Sequence, residues 1–121
     1  MQHTLFETQT SFKAPSNEAA LLELIYSNGF NEPATIVFHE DGGHGWLQVP
    51  MLLVKQLGIT EKISGYSYKY KGDAYLEEDC DLSLFFRAMQ LDENKLSQYF
   101  WNHVPNEYNE RTPVRTYPRF K

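Results

Sequence analysis

The chain has a single cysteine, Cys80. That excludes an internal disulfide and a zinc site built from several thiolates. It also suits a reducing compartment. No stretch of eighteen apolar residues occurs, so no membrane span is expected. The opening residues, MQHTLFETQTSF, lack a basic stretch followed by an apolar block, and no signal peptide is read there. A cytoplasmic protein is the expectation. Catalytic signatures are missing as well: there is no Gly-x-Ser-x-Gly, no His-Glu-x-x-His and no Cys-x-x-Cys. Gly42, Gly43 and Gly45 do not make a phosphate loop, because the lysine is absent and a strand pattern follows instead of a helix. No cofactor is implied, and no dedicated metal site is assigned.

What is present suits one small globular domain of 121 residues. Aromatics are plentiful, with eight Phe, eight Tyr and two Trp. Tyr and Trp carry a polar atom that needs a partner when buried, which places many of them at a core edge or a contact surface. Charge is segregated along the chain. Residues 1–72 carry −2, residues 73–110 carry −7 and residues 111–121 carry +4. An acidic second half argues against a broad nucleic-acid face.

The hydrophobic periods predict an α+β fold: a small antiparallel sheet of two hairpins packed against three to four helices. Residues 1–14 alternate like an edge strand or arm. Ser16 is the expected cap of a helix over 17–27, which Asn28-Gly29 stops. Thr35 to Glu40 and His44 to Val49 read as strands around an Asp-Gly turn. Pro50 opens a helix that Gly58 ends. Residues 65–70 and 74–78 form the second hairpin, with Tyr66, Tyr68 and Tyr70 on one face. Helices follow over Leu82 to Met89 and Glu93 to about His103, with Asp81 and Asp92 as their expected caps. Residues 1–110 make the domain, and 111–121 a basic, proline-containing extended tail that is either free or laid on the body.

Two constellations can carry chemistry. Glu77, Glu78, Asp79 and Asp81 surround Cys80. Their plain reading is a helix entrance, with Asp81 capping and the other acids near the positive end of the helix dipole. One cap needs one acid, however, and like charges repel. The alternative is a hard-cation site or an acid/base pair. No EF-hand loop is present. Cys80 is expected to be inert, because carboxylates oppose thiolate formation. The second constellation is FHEDGGHGWLQVP, where His39 and His44 flank a turn and can face each other across the hairpin. Two imidazoles near an acid are a weak zinc pattern. The plain reading is a turn whose histidines hydrogen-bond locally. The tyrosine row offers a base-stacking platform with little positive charge around it, so a protein contact face is the better reading.

Residues 44–86 contain HGWLQVP, LGITEKISGYSY and YLEEDCDLSLF. Taken together these resemble a group of small uncharacterised proteins of bacteriophages, prophages and plasmids, which carry an HGW-L-x-V-P segment, then LGI…KIS-x-YSY, then YLEEDCD. The HG and EEDCD pair is also similar to a domain of unknown function at the ends of larger plasmid proteins. The resemblance covers about a third of the chain. It implies a mobile-element origin, and so a bacterial host cytoplasm, but no established activity. It places His44, Gly45, Trp46 and Glu77 to Asp81 in the shared pattern and implies that the two segments meet. The expected function is that of an accessory protein that binds a host or phage protein, with His39, His44, Trp46, Glu77, Glu78, Asp79 and Asp81 as candidate binding residues. The alternative is a small hydrolase or metal-binding enzyme that uses His44 with the acids. Nucleic acid and membrane are not expected partners.

Overall fold

The computed structural model of the protein describes residues 12–27, 36–91 and 95–121. Helix α1 spans Glu18–Ser27. Strands β1 (Val37–Glu40) and β2 (Gly45–Pro50) form a hairpin that runs straight into helix α2 (Met51–Gln56). A second hairpin pairs β3 (Tyr68–Tyr70) with β4 (Asp73–Glu77). Helices α3 (Leu82–Ala88) and α4 (Lys95–His103) follow, then strand β5 (Asn106–Tyr108).

The α+β class holds, but the sheet differs from the expected pair of hairpins. Among the described residues it has five strands in the order β3-β4-β2-β1-β5, and it is mixed, because β5 runs parallel to β1. Phe38 N–H donates to the Pro105 carbonyl and Asn109 N–H to that of Glu40, which fixes the added strand. Its residues Asn106, Glu107 and Tyr108 are all exposed, so no apolar alternation announces it. It is held by its backbone hydrogen bonds to β1, with Glu107 reaching the His39 ring at 3.7 Å, and makes a short edge that discourages further pairing.

The sheet has two differently covered faces. Gly45, Leu47 and Val49 of β2, opposite Phe38 of β1 and Ala74 and Leu76 of β4, face the helices. There Leu21 and Ile25 from α1, Leu53 from α2, Phe85 from α3 and Phe100 from α4 complete the main core. The other face carries Trp46, Tyr68 and Tyr75. Residues 112–120 cross it as a strap. Thr112 caps a 3-10 turn over Pro113–Thr116, and Val114, 1% exposed, plugs into the aromatics. Beyond the turn, Pro118 and Phe120 exchange backbone hydrogen bonds with Lys69 and Ser67, so the chain runs antiparallel along the β3 edge. Tyr117 lies flat on Tyr70, with ring centroids 4.1 Å apart and planes 7° from parallel. The basic tail is therefore laid on the body, on the face that the helices leave open.

Several local expectations are corrected. Ser16 does not cap α1. The Ala20 N–H is taken by the Asn17 side-chain oxygen at 2.9 Å, one residue later. Strand β3 begins at Tyr68, so Tyr66 lies in a turn and leaves the tyrosine row. The two-residue loop Lys71-Gly72 has φ of 50° and 86°, which matches the twist of a tight hairpin. Asp92, residues 1–11 of the expected arm over 1–14, and Asn28-Gly29 lie outside the described residues, and residues 12–14 of that arm form no strand. No described helix is long and apolar enough to cross a membrane.

Candidate functional site

Glu77 ends β4 directly opposite Trp46 of β2. The pairing register sends both side chains to the strap face. His44 stands at the mouth of the first hairpin, and its backbone is pinned there. Asp41 Oδ1 accepts the N–H of Gly43 at 3.0 Å and of His44 at 2.9 Å. Asp41 Oδ2 in turn receives the Arg115 Nε–H from the strap. The Arg115 hydrogen bond, helped by the two backbone donors against some desolvation, holds the Asp41 carboxyl well below its ordinary range.

This geometry brings the two sequence constellations together. His44 Nδ1 lies 2.9 Å from Glu77 Oε2, and Glu77 is only 4% exposed. Glu77 Oε1 accepts the Asp79 N–H at 2.8 Å, so both of its oxygens are engaged. Nearby carboxylate oxygens of Glu77 and Asp79 and a ring nitrogen of His44 all lie within 4.8 Å of one another. They line one side of an open cleft of about 330 Å³. Cys80 shares that wall. Trp46 and Tyr68 form its aromatic lining, Tyr66 stands exposed at it, and Arg115 and Arg119 complete it.

The arginines serve both the cleft and the strap. Arg115 lies over the Trp46 ring at 4.9 Å and Arg119 over Tyr68 at 5.6 Å. Arg119 also donates to the Gly65 carbonyl at 2.8 Å. Beneath Arg115, the buried Trp46 Nε1–H has no acceptor among the described residues, and a buried donor without a partner costs on the order of 1–3 kcal/mol.

The other candidates divide. Glu78 and Asp79 are exposed. Desolvation, then the charges of Asp79 and Glu77, push the Glu78 carboxyl upward. The Cys80 thiol is also pushed up, by desolvation, a hydrogen bond to Glu77 and the surrounding carboxylates. It is therefore a poor nucleophile at neutral pH.

Asp81 is not a helix cap. Its side chain makes no bond to the first turn of α3. It is 2% exposed and turns back to accept from the Ser64 N–H at 3.1 Å, from the Ser64 hydroxyl at 2.8 Å and from the Ser67 hydroxyl. The same Ser67 oxygen accepts the Glu77 N–H at 2.9 Å, which ties this buried acid to the backbone of the site.

His39 does not meet His44, because the hairpin pairs His39 with Trp46 and leaves His44 in the turn. It belongs to a separate polar ladder across three strands. His39 Nε2 meets Gln48 Oε1 at 2.8 Å, and Gln48 Nε2 donates to Asp73 at 2.8 Å. Sequence reading missed Asp41, Ser64, Ser67, Arg115 and Arg119, and had Tyr66 as part of a strand's tyrosine row. Only the +4 charge of the last eleven residues, set against an acidic body, pointed toward the arginines.

Compared with protein-family models, with curated proteins and with solved structures, the chain matches none.

Proposed function

We propose that the protein is an accessory protein of a phage or other mobile element, and that it acts in the host cytoplasm by binding another protein through the cleft around His44 and Glu77. The mobile-element origin rests on the resemblance of residues 44–86. The binding reading rests on the make-up of the cleft, and one observation carries it: Tyr66 stands 65% exposed in a cleft lined by both carboxylates and arginines. Exposed aromatics and arginines around a partly buried patch are the composition of a protein contact surface. Candidate nucleophiles nearby are poorly suited to catalysis. The Cys80 thiol is pushed up, Ser67 is fully buried, and neither Ser64 nor Ser67 lines the cleft.

Capture from a bacterial host lysate tests this reading. Wild type should retain a partner that Tyr66→Ala and Arg119→Glu both lose and that Leu52→Ser, on the exposed side of α2, retains. If no partner is retained, or if all variants retain the same one, the cleft is not the binding surface.

A second reading is a small hydrolase. It is favoured by the His44–Glu77 contact at 2.9 Å, since a buried carboxylate on one ring nitrogen is how a general base is oriented. Hydrolysis of simple esters or phosphodiesters by the wild type, abolished in His44→Ala, would favour it over binding alone.

A further inference from the structure

We propose that His44, Glu77 and Asp79 form a site for a first-row divalent cation of the zinc class at the wall of this cleft. The inference names a ligand for the cleft and rests on reading that cleft as the protein's working surface.

The donor set is one imidazole nitrogen and two carboxylates, whose nearest atoms already lie within 4.8 Å of one another. Ligands bound to zinc at about 2.0–2.1 Å in a tetrahedron stand roughly 3.3 Å apart. Closing the set therefore needs only side-chain rotation, and the two donors that must move are the accessible ones. Asp79 is exposed, and the His44 side chain is 48% exposed. Glu77 is the fixed member. The Asp79 N–H holds its Oε1, while Oε2 already points at the imidazole. Its backbone is fastened by Ser67, and the His44 backbone by Asp41. Ligands held by such outer partners are the usual condition for a selective site.

Charge gives an independent reason. Glu77, Glu78, Asp79 and Asp81 stand within five residues, and among the described residues no lysine or arginine forms an ion pair with any of them. Of the two arginines that line the cleft, Arg115 is matched by Asp41, and Arg119 is held by the Gly65 carbonyl and the Tyr68 ring. A divalent ion would offset this excess. Three protein donors leave a fourth position open to the cleft, for water or for a group brought by a partner. Calcium prefers six to eight oxygens and magnesium an octahedron rich in water, so a site of this size with an imidazole donor selects against both.

The test uses the full-length protein, freed of metal by chelation, and zinc chloride alone as the probe. Calorimetric titration with elemental analysis after dialysis should give one zinc per chain. His44→Ala and Asp79→Asn should each weaken binding by at least about tenfold. His39→Ala should leave it within about twofold, because that imidazole serves the separate ladder. Excess magnesium or calcium should not displace the ion. Asp79→Asn alters an exposed side chain, so it carries the test even if His44→Ala does not fold. No uptake by the wild type at 100-fold excess of zinc overturns the proposal. So does uptake that neither His44→Ala nor Asp79→Asn weakens. Partner capture through the cleft without zinc uptake overturns this site and leaves the proposed function standing. Zinc uptake with the expected variant pattern and no cleft-dependent partner supports the site and removes the function.

Discussion

Asp81→Ala separates two roles for one carboxylate. A helix cap that loses its side chain costs about 1 kcal/mol. The observed Asp81 is instead a buried acceptor for three donors: the Ser64 N–H, the Ser64 hydroxyl and the Ser67 hydroxyl. Hydrogen bonds to a charged group contribute about 1.5–3 kcal/mol each, and a donor left buried without a partner costs a similar amount. The three are not additive, because the two serines can partly relax toward water or toward each other. A loss of about 3–5 kcal/mol is expected. For a domain of this length that corresponds to a fall of roughly 12–20 °C in Tm. Urea unfolding, followed by circular dichroism and by tryptophan fluorescence, measures it. A cycle with Ser67→Ala should show coupling of at least about 1 kcal/mol, since both changes break the same bond. The double variant should also loosen Glu77, whose N–H donates to the Ser67 oxygen. A single-mutant loss near 1 kcal/mol, with coupling under about 0.5 kcal/mol, would refute the buried network and restore the cap.

Two further outcomes follow from the same structure. In Gly45→Ala the new methyl would stand 2.9 Å from Phe38 Cε2 and closer still to its Cζ. The Phe38 ring must then shift off the core face and away from Trp101, its edge-on neighbour at 5.3 Å. A loss of about 1–3 kcal/mol in urea unfolding is expected, and a change below about 0.5 kcal/mol would show that the ring moves freely. Asp41→Asn tests the strap latch. The folded Asp41 carboxyl lies below its ordinary value of 3.8, chiefly through the Arg115 hydrogen bond. A depressed carboxyl contributes stability that is fully present above the unfolded value and is lost as pH falls through the folded one. The urea midpoint of the wild type should therefore exceed that of Asp41→Asn by a constant margin between pH 7 and about 5, and the margin should shrink steadily below about pH 4. Solvent around the half-exposed Arg115 limits the contribution to about 1–2 kcal/mol. A margin that stays constant down to pH 2.5 would show that the pair does not couple to folding.

Sequence alone determined the parts of this protein that depend on local chemistry. Leu21 and Ile25 recur at helical spacing, and Asp41-Gly42 turns one hairpin and Lys71-Gly72 the other. In each case the residue's own backbone preference or period decides the outcome. Pro50 ends β2 directly before α2 instead of taking the first helical position expected of it. Tertiary structure decided what depends on partners distant in the chain. Strand β5 is exposed on every residue and exists because the backbone of β1 offers it a place to pair. Asp81 sits where a cap belongs, yet its carboxylate goes to Ser64 and Ser67, because two hydroxyls and a backbone N–H in a dry site outbid one exposed helix turn. The meeting of His44 with Glu77 is likewise a matter of register. The β2–β4 pairing sets Trp46 opposite Glu77, and Asp41 turns the neighbouring His44 back over that carboxylate. The strap closes the other wall of the cleft, since the one apolar residue of its turn, Val114, finds cover only against Trp46, Tyr68 and Tyr75. Local sequence carries the preferences of each segment. Which donors meet which acceptors is fixed only when segments well separated in the chain are brought into register, because hydrogen bonds and charges act over a few ångströms of space and not along the chain.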